Sequence, residues 1–145
     1  MNKSTMIRAT LAAVLVMAIS GAASADNDKC QRVRFRLTNE HSSGKRILVT
    51  AVSYHDVVNN KIVTKGLANF ECKIHETCLT NEKDLTDVEG TKINNIRFII
   101  RELEDDGDWE DAHSTRAFDA DNATCRADRI YGPGNKGFVI TGTGT

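Results

Sequence analysis

Hydrophobic and polar residues begin to alternate at residue 31. Val33, Phe35 and Leu37 point one way, and Arg32, Arg34, Arg36 and Thr38 the other. Successive side chains of a pleated backbone emerge on opposite faces, so this is the pattern of a half-buried strand. The outward arginines also suit an edge strand, where charge discourages unwanted pairing. His41-Ser42-Ser43-Gly44 reads as a turn. Residues 47–58 are rich in β-branched and aromatic side chains and are long enough to bend or bulge. Asn59-Asn60 separates two β-type runs, and because Asn tolerates positive φ it predicts a tight hairpin.

Gly66-Leu67-Ala68-Asn69 interrupts the pattern, which resumes with Phe70, Cys72 and Ile74. Residues 79–92 are polar and predict mostly loop, with one short strand or helical turn. The strongest later strand covers 93–103, with Ile96, Phe98 and Ile100 on one face and Arg97, Ile99 and Arg101 on the other. A polar loop follows to about Arg116. Shorter strands are expected near 117–119 and 124–131, a turn at 132–137 and a last strand over 138–142. The Thr-Gly-Thr tail is expected to fray. No segment after residue 25 sustains a 3.6-residue apolar period. Short strands punctuated by turn clusters predict an all-β fold, a small antiparallel β-sandwich of jelly-roll or C2-like Greek-key type.

The first residues follow a different logic. Lys3 and Arg8 precede an unbroken apolar run from Leu11 to Ile19, and small residues end in Ala23-Ser24-Ala25. That order is the pattern of a cleavable export signal, and the run falls well short of the roughly 20 residues that span a bilayer. Residues 1–25 are therefore read as a signal peptide and 26–145 as one domain, secreted or periplasmic, with no membrane span after cleavage. Removing the signal leaves 17 basic against 20 acidic residues. The resulting net charge of about −3 argues against a nucleic-acid partner.

All four cysteines, Cys30, Cys72, Cys78 and Cys125, lie beyond the signal. An even count in an exported chain points to disulfides, and four cysteines allow three pairings. Cys72–Cys78, closing a short loop, and Cys30–Cys125, tying the entrance of the first strand to a late segment, form the preferred set, which geometry must settle. Cys72-x-x-His75-x-x-Cys78 has a metal-like spacing, but an oxidising compartment disfavours free thiolates. Gly132, Gly134 and Gly137 match a nucleotide-binding pattern by letter only: Pro133 intervenes and a strand follows, so a hairpin turn is the expectation.

The acidic stretch after the 93–103 strand carries the main chemical expectation. Asp105, Asp106, Asp108, Glu110 and Asp111 crowd one loop, and Asp119 and Asp121 follow. Calcium takes six to eight oxygen ligands, and crowded carboxylates repel one another unless a cation neutralises them. In layout alone the loop resembles the calcium-binding loops of C2-type sandwiches, with no motif that aligns. Calcium through these seven residues is thus one expectation, and a solvated acidic loop the competing one. Trp109, the sole tryptophan, sits in the same loop, either anchoring it to the core or contacting a ligand. His41, His55 and His113 lie in no catalytic signature and are expected to be ordinary loop histidines. No catalytic residue is assigned. The resulting order of function classes is a binding or interaction module with a protein or glycan ligand, then a secreted inhibitor or structural envelope protein, then a secreted hydrolase.

Overall fold

A computed structural model describes residues 30–56, 59–85, 93–119 and 124–144. The expected signal peptide, Asp121 and residues 86–92 lie outside the described residues. Eight strands follow one another: β1 (Arg34–Asn39), β2 (Ile47–Asp56), β3 (Lys61–Cys72), β4 (Thr77–Leu79), β5 (Asn94–Glu102), β6 (His113–Ser114), β7 (Ile130–Tyr131) and β8 (Phe138–Ile140). No helix occurs among the described residues, and the strands form two sheets that do not close into a barrel.

One sheet runs β3-β2-β5-β6 and is antiparallel throughout. In the other, β1 lies between β4 on one side and β7 and β8 on the other. Here two expectations need correcting. β1 is central, and it runs parallel to β7 and β8, so this sheet is mixed. The arginine stripe marks the solvent face of β1 and says nothing about its lateral neighbours. Those neighbours supply the counter-charges. Arg32 binds Asp128 through two hydrogen bonds of 2.6 and 2.8 Å, Arg34 meets Glu82 at 2.6 Å, and Arg36 donates to the Gly134 carbonyl at 2.9 Å.

The inner faces of the two sheets build one core, an arrangement consistent with a small β-sandwich. Val33, Phe35 and Leu37 from the β1 region meet Val49, Val52, Ile96, Phe98 and Ile100, all inaccessible to solvent. Phe35 stacks edge-on against Phe98 with centroids 5.5 Å apart, and Phe138 lies 5.6 Å from Phe98 and 5.3 Å from Phe118. These aromatic pairs cross between the sheets, and each adds about 0.5–1.5 kcal/mol beyond the area it buries.

β2 bulges at Thr50, as its length led one to expect, but the bulge has a partner in β3. Val49 pairs with Phe70 and Ala51 with Gly66, so residues 67–69 stand opposite Thr50 alone. The Gly66–Asn69 interruption is this irregularity inside one twelve-residue strand, not a break between two. The hairpin before β3 is also wider than a two-residue turn. It closes at Asp56–Lys61, Asn60 takes φ of 49°, and the buried Asp56 carboxylate accepts from the Asn59 backbone and side-chain nitrogens.

Both preferred disulfides form. Cys30–Cys125 has a Cα separation of 5.2 Å and Cys72–Cys78 one of 6.0 Å. The first joins the segment before β1 to the segment before β7; the second staples the crossing from β3 to β4. The 132–137 turn wraps the backbone of Arg36, with Gly132 and Gly137 both at positive φ. The carboxy-terminal tail is tied to the 114–115 segment over its described length. Thr143 pairs with Thr115, and the Gly144 N–H donates to the Ser114 carbonyl at 2.8 Å.

Candidate functional site

The acidic loop is held chiefly by its own backbone. The Glu110 N–H returns to the Glu102 carbonyl at 2.9 Å, and the Glu104 N–H to the Asp108 carbonyl at 2.7 Å. Gly107, at φ 93°, makes the reversal possible. The Arg101 guanidinium clamps the far limb by donating to the carbonyls of Glu110 at 2.5 Å and Trp109 at 2.7 Å. Trp109 is half-buried and pairs through its backbone with Leu103.

The carboxylates of this loop go to separate tasks. Asp106 accepts the Asp108 N–H at 3.0 Å, which stabilises the turn. Asp105 is fully exposed, 3.8 Å from the Lys45 ammonium. Glu110 lies 3.9 Å from His113 Nε2. Asp108, Asp111 and Asp119 are exposed. Among the described residues, the one group of three potential ligands with donor atoms within 4.8 Å of one another is Cys72, Glu76 and Cys78. Its two sulfurs are joined to each other, which removes them as thiolate ligands.

The base of the loop contains the least expected arrangement. β5 alternates Ile96, Phe98, Ile100 and Glu102 toward the core, so the Glu102 carboxylate is buried at 9% side-chain exposure. His41, also buried, brings Nε2 to 3.2 Å from its Oε1. The approach has hydrogen-bond length without hydrogen-bond alignment, leaving a contact that is mainly electrostatic. Nothing in the residues around His41 signals its burial. The inward phase of β5, extended one step beyond Ile100, does signal that of Glu102.

A second region lies at the opposite lateral edge. β3 pairs with β2 on one side, and among the described residues the backbone of 62–70 has no hydrogen-bond partner on its other side. Ile62 on this strand is 62% exposed, the most exposed large apolar side chain described. Beyond it, between β3 and the 82–84 segment, runs an open groove of about 550 Å³ lined by Arg32, Lys65, Glu82, Lys83 and Asp84. Arg32 is committed to Asp128 and Glu82 to Arg34. Asp84 accepts the Arg32 backbone N–H at 2.9 Å. Lys65 and Lys83 have no ion pair among the described residues. The groove therefore presents a net positive field beside an open row of backbone donors and acceptors.

The remaining sequence-marked groups are structural. His75, at φ 62°, hydrogen-bonds Glu40 at 2.7 Å, and Lys136 reaches the same carboxylate at 3.4 Å. Glu40 thus links the disulfide loop to the 132–137 turn. Its pKa is held below the usual carboxylate value, first by the His75 hydrogen bond. His55 bonds Asn60 across the hairpin.

No protein-family model, curated protein or solved structure matches the chain. The functional reading therefore rests on the geometry itself.

Proposed function

We propose that this chain is an exported binding module that takes up an extended segment of a partner protein along β3. The observation that carries the reading is the outer side of β3, unpaired among the described residues, beside the groove of Lys65 and Lys83. An exposed sheet edge offers a ready template for strand addition: main-chain hydrogen bonds supply affinity and alternate side chains supply selectivity. The bulge at 67–69 bends the strand there, leaving residues 61–66 as the straight portion. In that portion Ile62 and Thr64 are exposed and Lys65 lines the groove. The complementary partner strand carries an apolar residue opposite Ile62 and acidic residues facing Lys65 and Lys83.

Three further parts of the reading are separable. Export rests on the Lys3–Ala25 pattern, and two disulfides suit an oxidising compartment. A Greek-key sandwich frame is supported by the repeated crossings between sheets, from β1 to β2, β3 to β4, β4 to β5 and β6 to β7. Calcium as an accessory, through Asp105, Asp106, Asp108, Glu110, Asp111, Asp119 and Asp121, rests on the crowding of charge in the sequence. Calorimetric titration after chelation tests it, and no heat or melting shift at millimolar calcium rejects it.

The test of the main reading is an NMR titration of the protein carrying both disulfides with hexapeptides that alternate valine with aspartate, and with lysine as the control. The account expects amide shifts concentrated in 62–66 with the acidic peptide, lost in the double variant Lys65→Glu/Lys83→Glu. Shifts centred on 102–111, or equal binding of the lysine peptide, would reject strand addition at β3.

A further inference from the structure

The turn between β1 and β2 places a serine hydroxyl on the buried His41–Glu102 pair. The Asn39 side chain, itself buried, fixes this turn: its amide donates to the carbonyls of Lys45 at 3.0 Å and Cys72 at 2.9 Å, and its oxygen accepts the His41 N–H at 3.0 Å. The Ser42 N–H donates to the Thr141 carbonyl and the Gly44 N–H to the His41 carbonyl. Within this frame Ser43 Oγ lies 2.8 Å from His41 Nδ1.

The protons can be placed from the donors. A backbone N–H only donates, and that of Ser43 points at His41 Nδ1 at 3.3 Å. Nδ1 therefore carries the lone pair, and Nε2, facing Glu102, carries the proton. The Lys45 N–H donates to Ser43 Oγ at 3.3 Å, which leaves the serine proton directed at Nδ1. Ser43 is exposed, whereas His41 and Glu102 are buried. A solvent-facing hydroxyl is thus hydrogen-bonded to a desolvated imidazole whose other nitrogen faces a desolvated carboxylate.

We propose that Ser43, His41 and Glu102 form a proton relay that makes Ser43 a nucleophile toward activated carboxylic esters. Ser43 Oγ bonds to the ester carbonyl carbon as its proton passes to His41 Nδ1. The resulting imidazolium is stabilised by the Glu102 carboxylate. Collapse of the tetrahedral adduct breaks the bond to the leaving oxygen, which departs with the proton from Nδ1. Water then attacks the acyl-serine, giving the carboxylic acid and restoring the hydroxyl. The amides of residues 42–45 are all committed within the turn and its surroundings, so none is left to stabilise the oxyanion. The chemistry is accordingly confined to activated esters at slow turnover, and it is independent of the β3 edge.

The test uses a fluorophosphonate, which bonds to the serine oxygen with loss of fluoride, on the native disulfide-bonded protein, with mass mapping of the adduct. The expected result is a single adduct on Ser43, absent in Ser43→Ala and unchanged in Ser42→Ala. Glu102 is a positioning residue, so Glu102→Gln is expected to slow labelling at least tenfold, with Glu102→Asp recovering part of the rate. Labelling of Ser43 no faster than Ser42, or a Glu102→Gln rate equal to that of the parent, overturns the proposal. If the Glu102 variants fail to fold, the two serine variants decide alone.

Discussion

Replacing each cystine by alanines separates the two disulfides by the length of chain each one closes. Cys30 and Cys125 are 95 positions apart and Cys72 and Cys78 are six apart. On the chain-entropy account, a crosslink removes freedom from the unfolded chain in proportion to the logarithm of loop length. The long loop then contributes about 4.7 kcal/mol and the short one about 2.3 kcal/mol. Packing acts in the same direction: Cys30 and Cys125 are buried, whereas Cys78 is half-exposed. In urea, with a slope near 1.5 kcal/mol/M, the midpoints should fall by about 3 M for Cys30→Ala/Cys125→Ala and about 1.5 M for Cys72→Ala/Cys78→Ala. Unfolding followed by Trp109 fluorescence and by circular dichroism at 10 °C reads both. Equal losses, or a larger loss for the short loop, would mean that loop length does not set the contribution of either cystine.

Other perturbations probe other links. A Cβ at Gly137 would clash with the Arg36 backbone carbonyl at a positive φ, whereas one at Gly134 meets nothing. Gly137→Ala should therefore cost about 3 kcal/mol or more and Gly134→Ala about 1 kcal/mol, by thermal melts. His41→Ala leaves the buried Glu102 carboxylate without the imidazole that faces it, an expected loss of about 1–3 kcal/mol, most of which His41→Leu/Glu102→Met should recover; a loss under about 0.5 kcal/mol contradicts the pairing. Arg32 lowers the pKa of Asp128 in the folded state through its hydrogen bond, so that carboxylate stabilises the fold above its usual value of 3.8. The contribution is lost as pH falls through the lower folded value, and Asp128→Asn should flatten the acid limb of a stability–pH curve. Burial raises the Tyr131 phenol above its usual 10.0. Its contribution is complete below pH 10.0 and is lost as pH rises through the folded value, which Tyr131→Phe should abolish.

Much of the frame could be read from the chain because alternation has a direct physical cause. Val33, Phe35 and Leu37, and likewise Ile96, Phe98 and Ile100, are inward as their phase required. The cystine pairing was one preference among three, and the Cα separations decide it. What escaped reading depends on neighbours distant in sequence. β4 and β6 span three and two residues, too short to show a period, and exist because β1 and β5 present hydrogen-bonding edges to them. The extra residues at 67–69 reset the phase of β3 and made one strand look like two. The arginines of β1 were charged for the sake of its outer face, with Glu82 and Asp128 arriving from other segments.

The candidate site divided in the same way. Acidic residues 105–111 were conspicuous by composition, yet Asp106 stabilises a turn, Asp105 and Glu110 each face a single basic group, and Asp108 and Asp111 are exposed. The openness of β3 among the described residues could not be read, since an edge is defined by what lies beside the strand and not by its own side chains. The burial of His41 depends on Glu102 arriving from β5, and only the latter had a phase that pointed inward.

Residue-resolved amide hydrogen exchange across β3 reports whether its outer edge is open to a partner strand. Amides of residues 62–66 directed at β2 should be strongly protected, and those directed outward should exchange at rates close to those of an open chain, giving an alternating profile. Uniform protection along the strand in dilute solution would mean that this edge is already covered, and would contradict the reading of β3 as a free template.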